Sequence, residues 1–202
     1  MRVVSLPTGS AGFDSLGFSN AGTYAHALAM RAAGKVFLVG YLGAMTGQRV
    51  SDVLSAGLAF MPVTFAGRCD GKTAAYQAKQ LGLPPNLGGC LAHDAESPQD
   101  PGSQALIDRL AGFADDVAVA GYLPTIYVGA GLGLSADQLG ALPFMRYWRS
   151  CSYVPEPTLR GRPIGFCMTQ LFPNDEMVAG YDIDHDVTHS DYERRTIGFF
   201  AS

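Results

Sequence analysis

One unit recurs four times and limits the folds open to this chain: a helix-like segment closed by glycine, followed by a short apolar run of strand character. It spans residues 23–33 with Gly34 and then 36–39, and 49–56 with Gly57 and then 60–65. It returns over 72–81 with Gly82 and then 89–94, and over 104–120 with Gly121 and then 125–129. A glycine directly after a helix supplies the left-handed backbone that a β-carbon would penalise. Pro84 and Pro85 cannot continue the third helix. Helix and strand in alternation is the pattern of an α/β fold. An opening strand at Gly12-Phe13-Asp14 makes five strands joined by four helices.

After Gly129 the rhythm changes. Only residues 135–142 keep a helical pattern, and strands at 144–148, 164–170 and 180–184 follow with little or no helix between them. Eight strands after a βα start predict closure into a TIM-like barrel, five βα units followed by three strands, because closure removes the exposed sheet edges. The alternative is an open doubly wound sheet. Its dinucleotide-binding version needs G-x-G-x-x-G after the first strand, whereas residues 12–17 carry Asp14 where a phosphate would approach. The Gly129-Ala130-Gly131-Leu132-Gly133 run opens no long helix and reads as a flexible loop. A chain of 202 residues has room for one good core, so 1–202 is read as a single domain.

Composition removes several classes of function. With 48% hydrophobic and 16% charged residues the chain reads as globular rather than disordered. A net charge of -4 lacks the basic face that a nucleic-acid partner demands. No apolar run approaches a membrane span, and residues 1–7 lack the apolar stretch of a secretory signal. Cys69, Cys90, Cys151 and Cys167 form no C-x-x-C pair and read as free thiols. Cys69 and Cys151 stand near strand ends and can pair only if the fold brings them together.

In (β/α) barrels the working residues stand at the C-terminal ends of strands. Here those places hold carboxylates: Asp14 on the first strand, Asp94 and Glu96 on the fourth, and Asp182, Asp184 and Asp186 on the eighth. Asp94 and Glu96 are two residues apart, so in a continuing strand they share a face with α-carbons about 6–7 Å apart. Crowded acids hold one carboxyl protonated while another stays ionised, the division of labour that glycoside hydrolysis needs. The plainer readings are a solvated loop pair for Asp94 and Glu96 and a cap or turn residue for Asp14. Tyr127, Tyr147 and Trp148 can stack on sugar rings near the same rim, and Trp148 can equally be core. Gln170 ends an apolar strand and must find a hydrogen-bond partner or a ligand in the mouth.

Asp182, Asp184, Asp186 and Glu193 match part of a calcium-loop spacing, but Val187 stands where the loop turns on glycine. His185 and His189 lack the glutamate of a zinc helix. No metal or cofactor is expected.

The order Gly12-Phe13-Asp14, His93-Asp94-Ala95-Glu96, Tyr127-Val128, Trp148, Gln170 and Ile183-Asp184-His185-Asp186 resembles the glycoside-hydrolase-like TIM-barrel family formerly listed as domain of unknown function 1906. That family is similar to the family 25 glycoside hydrolases, which are lysozymes with five βα units followed by three strands. The resemblance implies Glu96 as general acid and Asp94 as support for the oxocarbenium ion or the substrate's N-acetyl group, with Asp14 and Asp184 tuning and holding the site. It implies a peptidoglycan-like N-acetylhexosamine polymer as substrate, cut with net retention. The implied settings are extracellular or virion-associated: a phage lysin, a tail-associated enzyme or a secreted bacterial enzyme. The alternative is a non-catalytic glycan-binding or structural barrel with virion partner proteins. Two positions depart from the lysozyme pattern: Val63-Thr64-Phe65 replaces a Tyr-His-Phe-like third strand, and Asp186 replaces a final Asn.

Overall fold

The computed structural model of the chain describes residues 1–65, 69–172 and 176–202. The first half alternates strand and helix as the glycine-closed units require. β1 (Arg2–Ser5) and β2 (Ala11–Asp14) lead into α1 (Leu16–Ala21) and α2 (Tyr24–Ala32). There follow β3 (Phe37–Tyr41), α3 (Gly47–Ser55), β4 (Ala59–Thr64), α4 (Gly71–Gln80), β5 (Cys90–Ala95), α5 (Gln104–Val119) and β6 (Leu123–Val128). Side-chain oxygens begin α4 and α5: Asp70 accepts from the Thr73 N–H at 2.7 Å and Ser103 from that of Leu106 at 3.0 Å. Gly34, Gly57, Gly82 and Gly121 all have φ between +80° and +89°, as the helix-closing reading predicts.

The second half is strand-rich: α6 (Ala136–Ala141), β7 (Arg146–Arg149), β8 (Thr158–Leu159), β9 (Arg162–Pro163), β10 (Met168–Gln170), β11 (Glu176–Val178), β12 (Tyr181–Thr188) and β13 (Gly198–Ala201). β2, β3, β4, β5, β6, β7 and β10 run parallel, β12 is antiparallel to both β10 and β2, and the β4–β5 pairing completes the ring. The result is the closed eight-stranded α/β barrel expected from the sequence. It is not an open doubly wound sheet. α1, the β8–β9 hairpin, β11 and the β1–β13 pair lay outside the expected set. The last barrel strand also runs further than the predicted 180–184, to Thr188.

Side-chain alternation divides the core in two. Phe37, Val39, Met61, Val63, Ala92, Trp148 and Met168 fill the barrel's interior. Phe13, Leu38, Phe60, Leu91, Ile126 and Tyr147 face outward beneath helix residues such as Met30, Val53, Leu110 and Phe113. At the N-terminal end of the parallel strands, Phe199 of β13 lies against Phe37 with ring centroids 4.6 Å apart. That end is plugged with aromatic carbon, and the polar interior is displaced to the opposite mouth. Cys69, Cys90, Cys151 and Cys167 are free thiols.

Candidate active site at the barrel mouth

The antiparallel course of β12 sets which of its acids belong to the site. The mouth lies at the C-terminal ends of the parallel strands, and therefore at the N-terminal half of β12. Asp184 stands opposite Asp14, and Asp186, one pleat deeper, stands opposite Gly12. Both aspartates share the inner face, because side chains repeat every second residue. Asp182 lies further out and is exposed.

Each inner polar group at this level has a defined neighbour. Asp14 is buried at the end of β2, and its Oδ1 accepts from the Tyr41 hydroxyl at 3.0 Å. Tyr127 stands opposite Asp94 in the β5–β6 register and donates its hydroxyl to Gln170 Oε1 at 2.7 Å. Gln170 Nε2 in turn donates to Asp184 Oδ2 at 2.8 Å. Trp148 donates its indole N–H to Asp186 Oδ1 at 2.9 Å, and its ring lies 4.4 Å from that of Tyr127.

Glu96 follows β5 immediately, on the parity of Asp94, and is exposed while Asp94 is buried. Between α4 and α5 a cleft of about 1150 Å³ opens beside the two acids, lined in part by His93, Asp94, Glu96, Asp100, Arg109 and Phe113.

Burial governs the electrostatics. Asp14 is pushed up to about 8, first by desolvation and then by the charge of Asp184, with Asp94 adding to the effect and the Tyr41 hydrogen bond opposing it. Asp186 is raised well above its ordinary range, again first by burial and then by Asp14. Tyr41 and Tyr127 are held far on the neutral side by burial and by the acids around them, so both remain hydroxyl donors. His93 turns away from the interior, with Nδ1 3.0 Å from Thr64 Oγ1. Its burial pushes it down to about 4, so it stays neutral.

The structure gathers Asp14, Asp94 and Asp184 closely enough that the last two act on the charge of the first. Glu96 stands at the lip, close enough for its charge to reach Tyr127. Gln170 is partnered on both amide atoms, as its burial requires.

Two of the aromatic expectations are corrected. Tyr147 projects outward from β7, is 1% exposed and donates its hydroxyl to the Leu139 carbonyl of α6, so it belongs to the helix layer rather than the mouth. Trp148 faces inward but is 2% exposed, so its ring has no face free for a sugar, and its indole N–H is taken up by Asp186. One mouth residue was missed: Tyr41 lies beyond the predicted end of its strand, and continuing the alternation Phe37, Val39, Tyr41 would have found it. Asp186 was named on the eighth strand but given no role in the site, and the register of β12 on β2 is what brings it to the inner face beside Asp14.

No family model matches the sequence, and no curated protein matches it. Solved structures do match the fold. An uncharacterized B. stearothermophilus protein superposes with a TM-score of 0.65 at 15% identity, covering 90% of this chain and 96% of its own. A bacterial lysozyme from Streptomyces coelicolor gives 0.61 at 17% identity, covering 94% of this chain and 96% of its own. A glycosyl hydrolase 25 of Streptococcus pneumoniae gives 0.57 at 14% identity, covering 89% and 87%. At these identities the likeness is one of fold, and the chain has the barrel architecture found both in that bacterial lysozyme and in that glycosyl hydrolase 25.

Proposed function

We propose that residues 1–202 act as one glycoside-hydrolase-like domain of the family formerly listed as domain of unknown function 1906, cleaving peptidoglycan or a related N-acetylhexosamine polymer. The observation that carries this reading is the pair Asp94 and Glu96, on one parity at the mouth of a lysozyme-like barrel and beside a cleft large enough for sugar residues. Glu96, open to solvent, donates a proton to the glycosidic oxygen. Asp94, buried, stabilises the positive charge developing at the anomeric carbon or holds the substrate's N-acetyl group. With Asp94 or the N-acetyl group covering the opposite face, Glu96 then takes a proton from water that enters on the face the leaving sugar vacated, so the new C–O bond replaces the broken one with the anomeric configuration retained.

Tyr127, Gln170 and Asp184 form a hydrogen-bonded chain beside the pair, and Asp14, held by the Tyr41 hydroxyl, stands opposite Asp184 to tune the site. With Tyr147 and Trp148 withdrawn as sugar platforms, stacking falls to Phe172, which is 81% exposed just beyond β10. The place of action is extracellular or virion-associated, as a secreted enzyme, a phage lysin or a tail-associated enzyme.

Incubation of the purified protein with insoluble peptidoglycan tests this directly. Release of reducing ends is expected, with the first-formed anomer matching the bond cleaved. No release from any of several wall preparations overturns the hydrolase, and saturable wall binding without release assigns the barrel to glycan binding or virion structure instead.

A local substitution tests the placement of Glu96. Gly129 lies against it so closely that a β-carbon there would stand 2.7 Å from Glu96 Cβ and 2.9 Å from its Cα. Gly129→Ala must push the acid aside, and a displacement of this kind is expected to lower turnover by about 10²-fold. Parallel rate and melting measurements separate this from unfolding, and an unchanged rate would show that the position of Glu96 does not matter.

A further inference from the structure

We propose that Asp14 and Asp186 hold one proton between them as a hydrogen-bonded carboxyl–carboxylate pair, and that Asp186 is thereby a positioning residue of the mouth. The geometry begins with the β2–β12 register. Asp14 lies opposite Asp184 and Gly12 lies opposite Asp186, so Asp186 reaches Asp14 along the diagonal on the inner face. Gly12 contributes no side chain between them, and a β-carbon there would stand 2.2 Å from the Phe37 ring.

The hydrogen bonds around the two acids are asymmetric in a consistent way. Asp14 Oδ1 takes the Tyr41 hydroxyl at 3.0 Å and Asp186 Oδ1 takes the Trp148 indole N–H at 2.9 Å. The Oδ2 atom of each is buried and receives no donor from the described residues. The two carboxyls nevertheless lie within hydrogen-bonding reach of each other. With exposures of 4% and 1%, neither can turn to solvent for relief.

Two ionised carboxylates in this position would present bare acceptors to one another in a dry barrel, which costs both desolvation and repulsion. A single proton makes one of the two a donor and satisfies both oxygens. Among the described residues, the other groups facing the pair do not supply an alternative. Asp184 on β12 and Asp94 on β5 add negative charge, while Tyr41 on β3 and Tyr127 on β6 are neutral. The charge of Lys35 reaches Asp186, but its amine is hydrogen-bonded to His185, which lies on the outer face of β12. The shared proton lowers the negative charge beside Asp184 and fixes the two strands that carry the back of the mouth. This consequence for turnover rests on the hydrolase reading; the proton itself does not.

Infrared spectroscopy in heavy water tests the pair without any glycan. At neutral pH the wild-type protein is expected to show the C=O stretch of a protonated carboxylic acid, persisting well above the pH at which ordinary carboxyls ionise. Asp14→Asn and Asp186→Asn each place an amide donor where the proton was, and the band is expected to vanish in both. Absence of the band from the wild type overturns the proposal. So does its survival in either folded variant, because the proton would then belong to one acid alone. Should neither variant fold, the wild-type titration decides: a band that persists above the ordinary carboxyl range supports the pair, and no band, or one lost within that range, overturns it. Wall cleavage can fail while this band is present, so the two readings fail separately.

Discussion

Glu96→Gln is expected to lower the release of reducing ends from peptidoglycan by about 10²–10⁴-fold, the range supplied by a positioned general acid–base group. The amide keeps the shape of the side chain and its room beside Gly129, but it has no proton of the required acidity to give. Because Glu96 is exposed at the lip, its replacement should leave stability within about 0.5 kcal/mol of the wild type. Rate and unfolding midpoint measured on the same preparation therefore make the test. A folded variant that cleaves at the wild-type rate would remove Glu96 from the chemistry and with it the assignment of acid and stabiliser made from the Asp94–Glu96 pair. Asp94→Asn makes a poorer probe, since Asp94 is buried and its replacement disturbs folding and chemistry together.

Stability is expected to fall as pH rises from about 6.5 to 8, the reverse of what an ordinary surface carboxylate produces. Asp14 titrates near 8 in the folded protein, against about 3.9 in an unfolded chain, so the native state binds the extra proton throughout that interval. The stability tied to this proton is fully present below the unfolded value and is lost as pH climbs through the folded one. The slope approaches about 1.4 kcal/mol per pH unit for one proton, or about 2 kcal/mol across the window. Below it His93 acts in the opposite sense. Its folded value of about 4 lies under the ordinary histidine range, so it adds stability as pH rises towards 6.5 and offsets Asp14 there. His189 is lowered by burial and acts in the same direction. The fall should therefore emerge only once the histidines are neutral. Denaturant titrations at about pH 5, 6.5 and 8 resolve this, and a stability that is flat or rising over the upper half would contradict the protonated state of the mouth.

The features read correctly from the sequence are those with a local cause. Gly34, Gly57, Gly82 and Gly121 end helices because the left-handed turn is cheap only for glycine, and that constraint is written at single positions. Closure of the ring could be inferred from the number of strands. Strand direction could not. An apolar run has the same periodicity in either sense, so nothing in residues 181–188 announced that β12 runs backwards and offers its first half to the mouth. Parity across strand ends was the other weak point. Tyr147 and Trp148 are adjacent and of similar character, and only the register of β7 on β6 assigns one to the helix layer and the other to the interior. The Asp14–Asp186 contact is non-local, joining the two ends of the barrel's chain path, and it depends on a diagonal relation that no spacing in the sequence encodes.

The pairing of β1 with β13 sets Arg2 opposite Ala201 and places both strands at the Phe37–Phe199 end, away from Asp94 and Glu96. Both ends of the chain are thus handles on the blind side of the barrel. A tether, a fused module or a bead coupled through either one would leave the mouth facing outward, towards a polymer too large to diffuse in. For the same reason Arg2 and Ala201 could be joined by a short linker and new ends opened at an exposed turn without crossing the mouth.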